Sequence, residues 1–428
     1  MKLFGFVISA LVVLSVFGNN CCCAEKVRYD NHTVYKVLIE NENQLTIVKH
    51  LSTLAKGYNL WKPFHGIGSD AHIMVSPKMK NAFDSLMELN GFEKEILVEN
   101  VQSLIDEESS SFERDATFGW TSYHGLDKIY AWIDEIIEEN SDLITPFTIG
   151  KSYEGRDIRG IKISAKEGNP GIFIETNVHA REWITSATVT YFINELLNSD
   201  RAEIKNLREN IDWYIIPVYN VDGFVYSHEK DRMWRKTRQP VKGSDCIGAD
   251  ANRNFDSHWM ENGGALSDPC AETFAGPKPF SEPEAQALAD FVTKIEDKIN
   301  IYLSFHSYGQ YLLCPYGHSA TDFPSNYEDL LAIGKSAADA IKKPYGTQFT
   351  YGSTGSVLYV ASGTSVDWMF NERNIKVGWT FEFRDKGRYG FVLPATHIKP
   401  NAKEAVEGVI ALVQKSSDLG YLKNKRVN

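Results

Sequence analysis

From about residue 118 onward, short apolar runs of strand length alternate with longer stretches carrying a helical stripe. Residues 161–163, 171–176, 211–218 and 299–305 read as strands; 126–137, 182–197 and 282–295 read as helices. Strands this apolar leave neither face to water, and the helices between them supply cover. The alternation predicts an α/β fold, a mixed twisted sheet with helices on both faces. In such sheets, ligands collect in the loops at the carboxyl ends of strands. Two histidines fall there: His179 just past one strand and His306 at the end of another.

His179-Ala180-Arg181-Glu182 places a histidine and a carboxylate three residues apart, so both can face one way across a helical turn. His306, supplied from a distant strand end, completes a set of two imidazoles and one carboxylate. Such a set binds Zn²⁺ and keeps a fourth position for water, which separates catalytic from structural zinc. A structural site would favour closed cysteine-rich ligation, and the cysteines here lack that spacing. His-x-x-Glu alone also occurs on ordinary solvated turns; the position at strand ends is what gives it weight.

A chain of 428 residues is expected to hold more than one domain. Residues 26–100 form a second, smaller α/β pattern. Strands are expected at 34–39, 71–75 and 96–98, with helices at 44–54 and from Pro77 to 89. This order predicts a small antiparallel sheet with two helices on one face. The following stretch, 106–115, is polar and acidic without apolar periodicity, and reads as an exposed connector within 100–114. Proteolytic nicking concentrates in such segments, and Arg114 is its basic residue. Asn31-His32-Thr33 is a glycosylation sequon. The net charge is −11, and no dense basic cluster points to nucleic acid or an anionic membrane.

Lys2, an apolar run over 3–17 and small residues up to Ala24 read as a secretory signal over 1–24, implying a secreted, extracellular protein. No later stretch has transmembrane length. Beyond this leader remain Cys246, Cys270 and Cys314. In an oxidising compartment two of them are expected to pair. Cys246 and Cys270 flank a Gly- and Asn-rich segment, where a bridge adds about 3 kcal/mol. Cys314, in an apolar run, reads as a buried free thiol; the sequence leaves other pairings open.

The chain from about 118 to 420 resembles the pancreatic-type zinc carboxypeptidases. The resemblance lies in Asn177-Val178-His179-Ala180-Arg181-Glu182-Trp183, Met233-Trp234-Arg235-Lys236-Thr237-Arg238 and Asp250-Ala251-Asn252-Arg253-Asn254-Phe255-Asp256. It continues in Ser304-Phe305-His306-Ser307-Tyr308, Tyr359-Val360-Ala361-Ser362-Gly363 and Thr380-Phe381-Glu382-Phe383-Arg384-Asp385. Residues 25–114 resemble that family's activation propeptide, and 115–428 its catalytic domain. The resemblance implies one Zn²⁺ held by His179, Glu182 and His306, and a secreted exopeptidase zymogen acting on peptides with a free C-terminus. It implies a trypsin-like protease cutting after Arg114; a monomer is the expected unit.

In the family pattern Glu382 is the general base for a zinc-activated water and passes its proton to the leaving amine. Arg235 matches the arginine that stabilises the oxyanion, where one well-placed donor is worth roughly 3–4 kcal/mol. Asn252 and Arg253 match the pair that holds the terminal carboxylate, a task suited to the planar guanidinium fork. Tyr359 matches the tyrosine that closes over the bound end, and Arg181 and Tyr308 further substrate-binding positions. The resemblance places Val366, in Gly363-Thr364-Ser365-Val366-Asp367, at the base of the specificity pocket. An apolar floor cannot pair a buried cation, so A-type cleavage of aliphatic or aromatic residues is expected rather than B-type release of Lys or Arg. Gly317 and Thr380 agree; Thr364 departs from the glycine of A-type pockets. Asp367 is shared by both types. An inactive peptide-binding homologue would lack a ligand or the base, and this chain keeps both.

Overall fold

The computed structural model describes residues 26–54, 57–109, 117–166 and 168–423. The leader at 1–24 and Arg114 lie outside these residues.

The N-terminal unit runs β1 (Thr33–Leu38), α1 (Glu42–Thr53), β2 (Tyr58–Lys62), β3 (Asp70–Val75), α2 (Lys80–Leu89), β4 (Lys94–Val98) and α3 (Val101–Ser109). Its antiparallel sheet has the order β2-β3-β1-β4. The two-residue period of a strand sorts the side chains by face. Tyr35, Val37, Ile73 and Val75 pack with Val48, Leu51, Phe83 and Met87 of the two helices. Val34, Met74 and Trp61 point the other way and meet Met233, Tyr308, Phe391 and Val392 of the larger unit. Both faces of this sheet are therefore covered.

Three local expectations change. β2 is an additional strand, hidden in the sequence because its residues other than Trp61 are only partly buried and show no clean alternation. α2 starts at Lys80 rather than Pro77, because residues 77–79 form a turn closed by Met79 N donating to Ser76 O at 2.9 Å. The segment after Glu99 is not simply an exposed connector: α3 occupies Val101–Ser109 and buries Val101, Gln102 and Glu108. Its one buried acid meets a partner far along the chain, which no local pattern reveals.

The larger unit begins with α4 (Leu126–Glu139), β5 (Ile144–Lys151), β6 (Asp157–Ile163), β7 (Gly171–Thr176), α5 (Trp183–Asn198), α6 (Ala202–Asn210) and β8 (Asp212–Ile216). It continues through α7 (Val221–Glu229), α8 (Pro283–Ile295), β9 (Ile299–Ser307), β10 (Tyr311–Cys314) and α9 (Tyr327–Tyr345). β11 (Thr350–Ser353), α10 (Thr354–Val357), α11 (Ser365–Asn371), β12 (Val377–Phe383) and α12 (Ile398–Asp418) complete it. The sheet order is β11-β10-β12-β9-β7-β8-β6-β5. Its centre, β12-β9-β7-β8, is parallel, whereas β5–β6, β6–β8 and β10–β12 are antiparallel. Every residue of β7, β8 and β9 is buried, as a sheet covered on both faces requires.

Cys246 and Cys270 are bridged, with their Cα atoms 5.2 Å apart. Cys314 is a buried free thiol whose pKa is pushed far up by burial, so it stays unreactive. Among the described residues no helix is long and apolar enough to cross a membrane.

Candidate metal centre and substrate cleft

β7 ends at Thr176, and the chain turns before α5 begins at Trp183. Asn177 takes a positive φ of 55°, and its side-chain amide donates to Glu182 O at 3.0 Å. His179 and Glu182 thus lie on a tight turn, with Glu182 N donating to His179 O at 3.2 Å, rather than on one turn of helix as their spacing predicts. His306 comes from the end of β9, and β12 sets Glu382 directly beside it in parallel register.

The three ligand candidates converge. His179 Nδ1 stands 2.8 Å from Glu182 Oε1. His306 Nδ1 is 3.2 Å from His179 Nδ1 and 3.3 Å from Glu182 Oε2. One ligand atom from each lies within 4.8 Å of the others, the only such grouping of three or more among the described residues. Two ring nitrogens turned towards each other beside a carboxylate form a donor set that fits a shared zinc ion. Behind His179, Asp250 Oδ1 lies 3.1 Å from Nε2, which orients the ring and leaves Nδ1 for the metal. Burial pushes the Glu182 carboxyl up, but His179 and His306 outweigh it and hold it well below the usual range. For Glu382 burial dominates: with the Glu182 charge it overcomes His306, Arg235 and Arg253 and carries the carboxyl up to about 8.

A cleft opens beside this centre. Its polar lining includes Asn252, Arg253 and Tyr359, with His179, His306 and Glu382. Arg253 is buried, and its Nη2 donates to Tyr359 Oη at 3.2 Å. Asn252 accepts from Ser365 N at 2.9 Å, which ties it to the start of α11. Arg235 is paired with Asp250 at 2.7 Å. The rest of the lining is Leu313, Leu358, Ala361 and Val366, with Thr354, Thr364 and Thr380.

Asp367 does not line the cleft. It accepts from Gly317 N at 2.9 Å and His318 N at 3.1 Å, so its charge serves backbone amides. Thr364 Oγ1 accepts from Asp367 N at 3.3 Å as the cap of α11, which gives the departing threonine hydroxyl a local task.

Arg181 and Tyr308 stand apart from that set, beneath the N-terminal unit. Asn59 of β2 accepts from Arg181 Nη1 at 3.2 Å. His72 Nδ1 lies 2.9 Å from Tyr308 Oη. The sequence reading assigned no role to Asp250, Glu175, Ser304, Glu108 or Arg232. Asp250 had a signal, an acid just ahead of Asn252-Arg253; the others depend on contacts across the fold.

Two buried histidines and a glutamate that could hold a metal ion, with a further half-buried carboxylic acid and a cleft lined by an arginine, define the architecture of a metallohydrolase. The zinc carboxypeptidase family model matches residues 129–408, and the carboxypeptidase activation peptide model matches 35–108. A zinc carboxypeptidase of Simulium vittatum is 48% identical over 300 residues, covering 70% of this chain and 98% of that protein. Carboxypeptidase A1 of Bos taurus is 38% identical over 415 residues, covering 94% and 98%. The crystal structure of thrombin activatable fibrinolysis inhibitor matches at a TM-score of 0.83 and 34% identity, covering 90% of this chain and 98% of that one. The chain belongs to the zinc carboxypeptidase family, and it carries that family's activation peptide. It is a zinc-dependent peptidase made as a proenzyme.

Proposed function

We propose that the activated protein removes C-terminal aliphatic and aromatic residues from peptides. The carrying observation is which residue meets the cleft: Val366 lines it, while the neighbouring Asp367 is bound by the amides of Gly317 and His318. A lysine or arginine side chain would enter without a counter-charge, which costs several kcal/mol.

The substrate's terminal carboxylate binds Arg253 and Asn252, and Tyr359 closes over it. His179, Glu182 and His306 would hold the zinc ion, which when bound would supply a Lewis acid for the scissile carbonyl and lower the pKa of a water molecule. Arg235, kept in place by Asp250, stabilises the negative oxygen that develops at the carbonyl. Glu382 takes a proton from the attacking water and delivers it to the leaving nitrogen. Its half-buried position next to His306 puts it within reach of both events.

The protein is secreted through its leader, in keeping with the Cys246–Cys270 bridge. A trypsin-like protease cutting after Arg114 frees the catalytic unit, whose Arg181 and Tyr308 the activation peptide covers until then.

The test is mass spectrometry on peptides ending in Phe, Leu, Lys and Glu, before and after trypsin, with and without chelator. Release of Phe and Leu only after trypsin, abolished by chelation, is expected. Release of Lys instead overturns the pocket assignment. No release by a cleaved, zinc-loaded protein leaves a peptide-binding role. Glu382→Gln is expected to lower turnover by about 10²–10⁴-fold while zinc stays bound.

A further inference from the structure

A hydrogen-bonded chain runs behind His306, from the ring nitrogen that faces away from the metal centre. Because a strand repeats every two residues, Tyr302, Ser304 and His306 share one face of β9. The parallel register sets Glu175 of β7 opposite Ser304. His306 Nε2 lies 2.8 Å from Ser304 Oγ. The Ser304 hydroxyl makes a short bond to Glu175 Oε1, which also accepts from Tyr302 Oη at 3.0 Å. All four side chains are buried, and Glu175, Ser304 and Tyr302 do not line the cleft.

We propose that Glu175, acting through Ser304, is a positioning residue for His306, an inference that rests on reading His306 as a zinc ligand. A serine hydroxyl carries one proton, and Glu175 Oε1 receives it. Ser304 Oγ is then left to accept, which requires the imidazole proton to sit on Nε2. Nδ1 keeps its lone pair, and Nδ1 is the atom facing His179 and Glu182. The same chain fixes the rotation of the ring. Asp250 orients His179 by direct contact, and Glu175 orients His306 through one intervening hydroxyl. Glu175 Oε2 has no hydrogen-bond partner among the described residues. A half-satisfied buried carboxyl is costly for the fold, and ligand orientation is the return.

The test measures zinc affinity of the full-length protein by competition with a chromophoric chelator, together with the melting temperature of the zinc-free form. Ser304→Ala breaks the chain in the middle and Glu175→Leu removes its terminal acceptor. Each is expected to weaken zinc binding about 10- to 100-fold. Glu175→Gln retains an acceptor oxygen and is expected to stay within about threefold of the parent. In the Ser304→Ala background, Glu175→Leu is expected to add nothing, because both act through one path. Parent-like affinity in Ser304→Ala, additive losses in the double variant, or a Glu175→Gln as weak as Glu175→Leu overturns the proposal. If Glu175→Leu does not fold, Ser304→Ala and Glu175→Gln carry the test. Parent-like zinc binding by His306→Ala would mark failure of the ligand assignment itself, a different outcome from failure of the chain behind it.

Discussion

Glu108 of the activation peptide and Arg232 of the catalytic unit are joined by two hydrogen bonds of 2.6 and 2.9 Å, with side chains 1% and 5% exposed. Arg232 also donates to the carbonyls of Arg181 and Phe391 and lies 3.6 Å over the Trp183 ring. The pair therefore links α3 to the turn that carries Glu182. Removing one partner of a buried ion pair strands the other charge, at a cost of about 3–5 kcal/mol. Glu108→Ala is expected to speed release of the activation peptide after connector cleavage by about 10²–10³-fold, followed by size-exclusion chromatography. An unchanged rate would mean that the pair adds nothing net to docking.

Acid is expected to loosen the same interface through His72. Burial lowers its affinity for protons below the ordinary 6.5, against the pull of Asp70 and with a small push from Lys62 and Lys36. The released peptide binds that proton more readily, so docking is strongest above pH 6.5 and weakens as pH falls through that value. Release measured between pH 7.5 and 5 should accelerate, and His72→Gln should flatten that profile. A parallel profile in the variant would assign the effect to other groups.

Val366→Asp is expected to reverse substrate preference. The new carboxylate would stand at the pocket floor, free of the amides that occupy Asp367. The ratio of kcat/KM for C-terminal Arg over Phe should rise by at least about 100-fold, since an unpaired buried cation costs several kcal/mol. Competition between the two peptides in one mixture reads this ratio directly.

The Cys246–Cys270 bridge spans 24 residues that include Asp250, Asn252 and Arg253. Replacing both cysteines by serine is expected to cost about 3 kcal/mol of stability. The loss should appear as a lower melting temperature. KM should rise more than kcat falls, because Asn252 and Arg253 are the residues proposed to bind the substrate end.

Much of the site was legible from residue type and local order. The apolar runs marked the central strands because burial on both faces removes polar residues, as in β7 and β9. His179 and His306 stood out because each follows such a run. β2 was invisible because its residues are shared between two packed surfaces. The acidic stretch after Ile105 read as solvated because its one buried acid, Glu108, is matched by a residue 124 positions away.

The sequence by itself determined the candidate ligand types, the strands that deliver them and an apolar residue at position 366. Those are local properties, set by side-chain chemistry and by the period of the backbone. Only the tertiary structure decided that Asp367 is occupied by backbone amides, that Glu175 faces Ser304 and that the activation peptide covers Arg181 and Tyr308. These depend on strand register and on the docking of two units, which many weak long-range contacts settle together rather than any short segment.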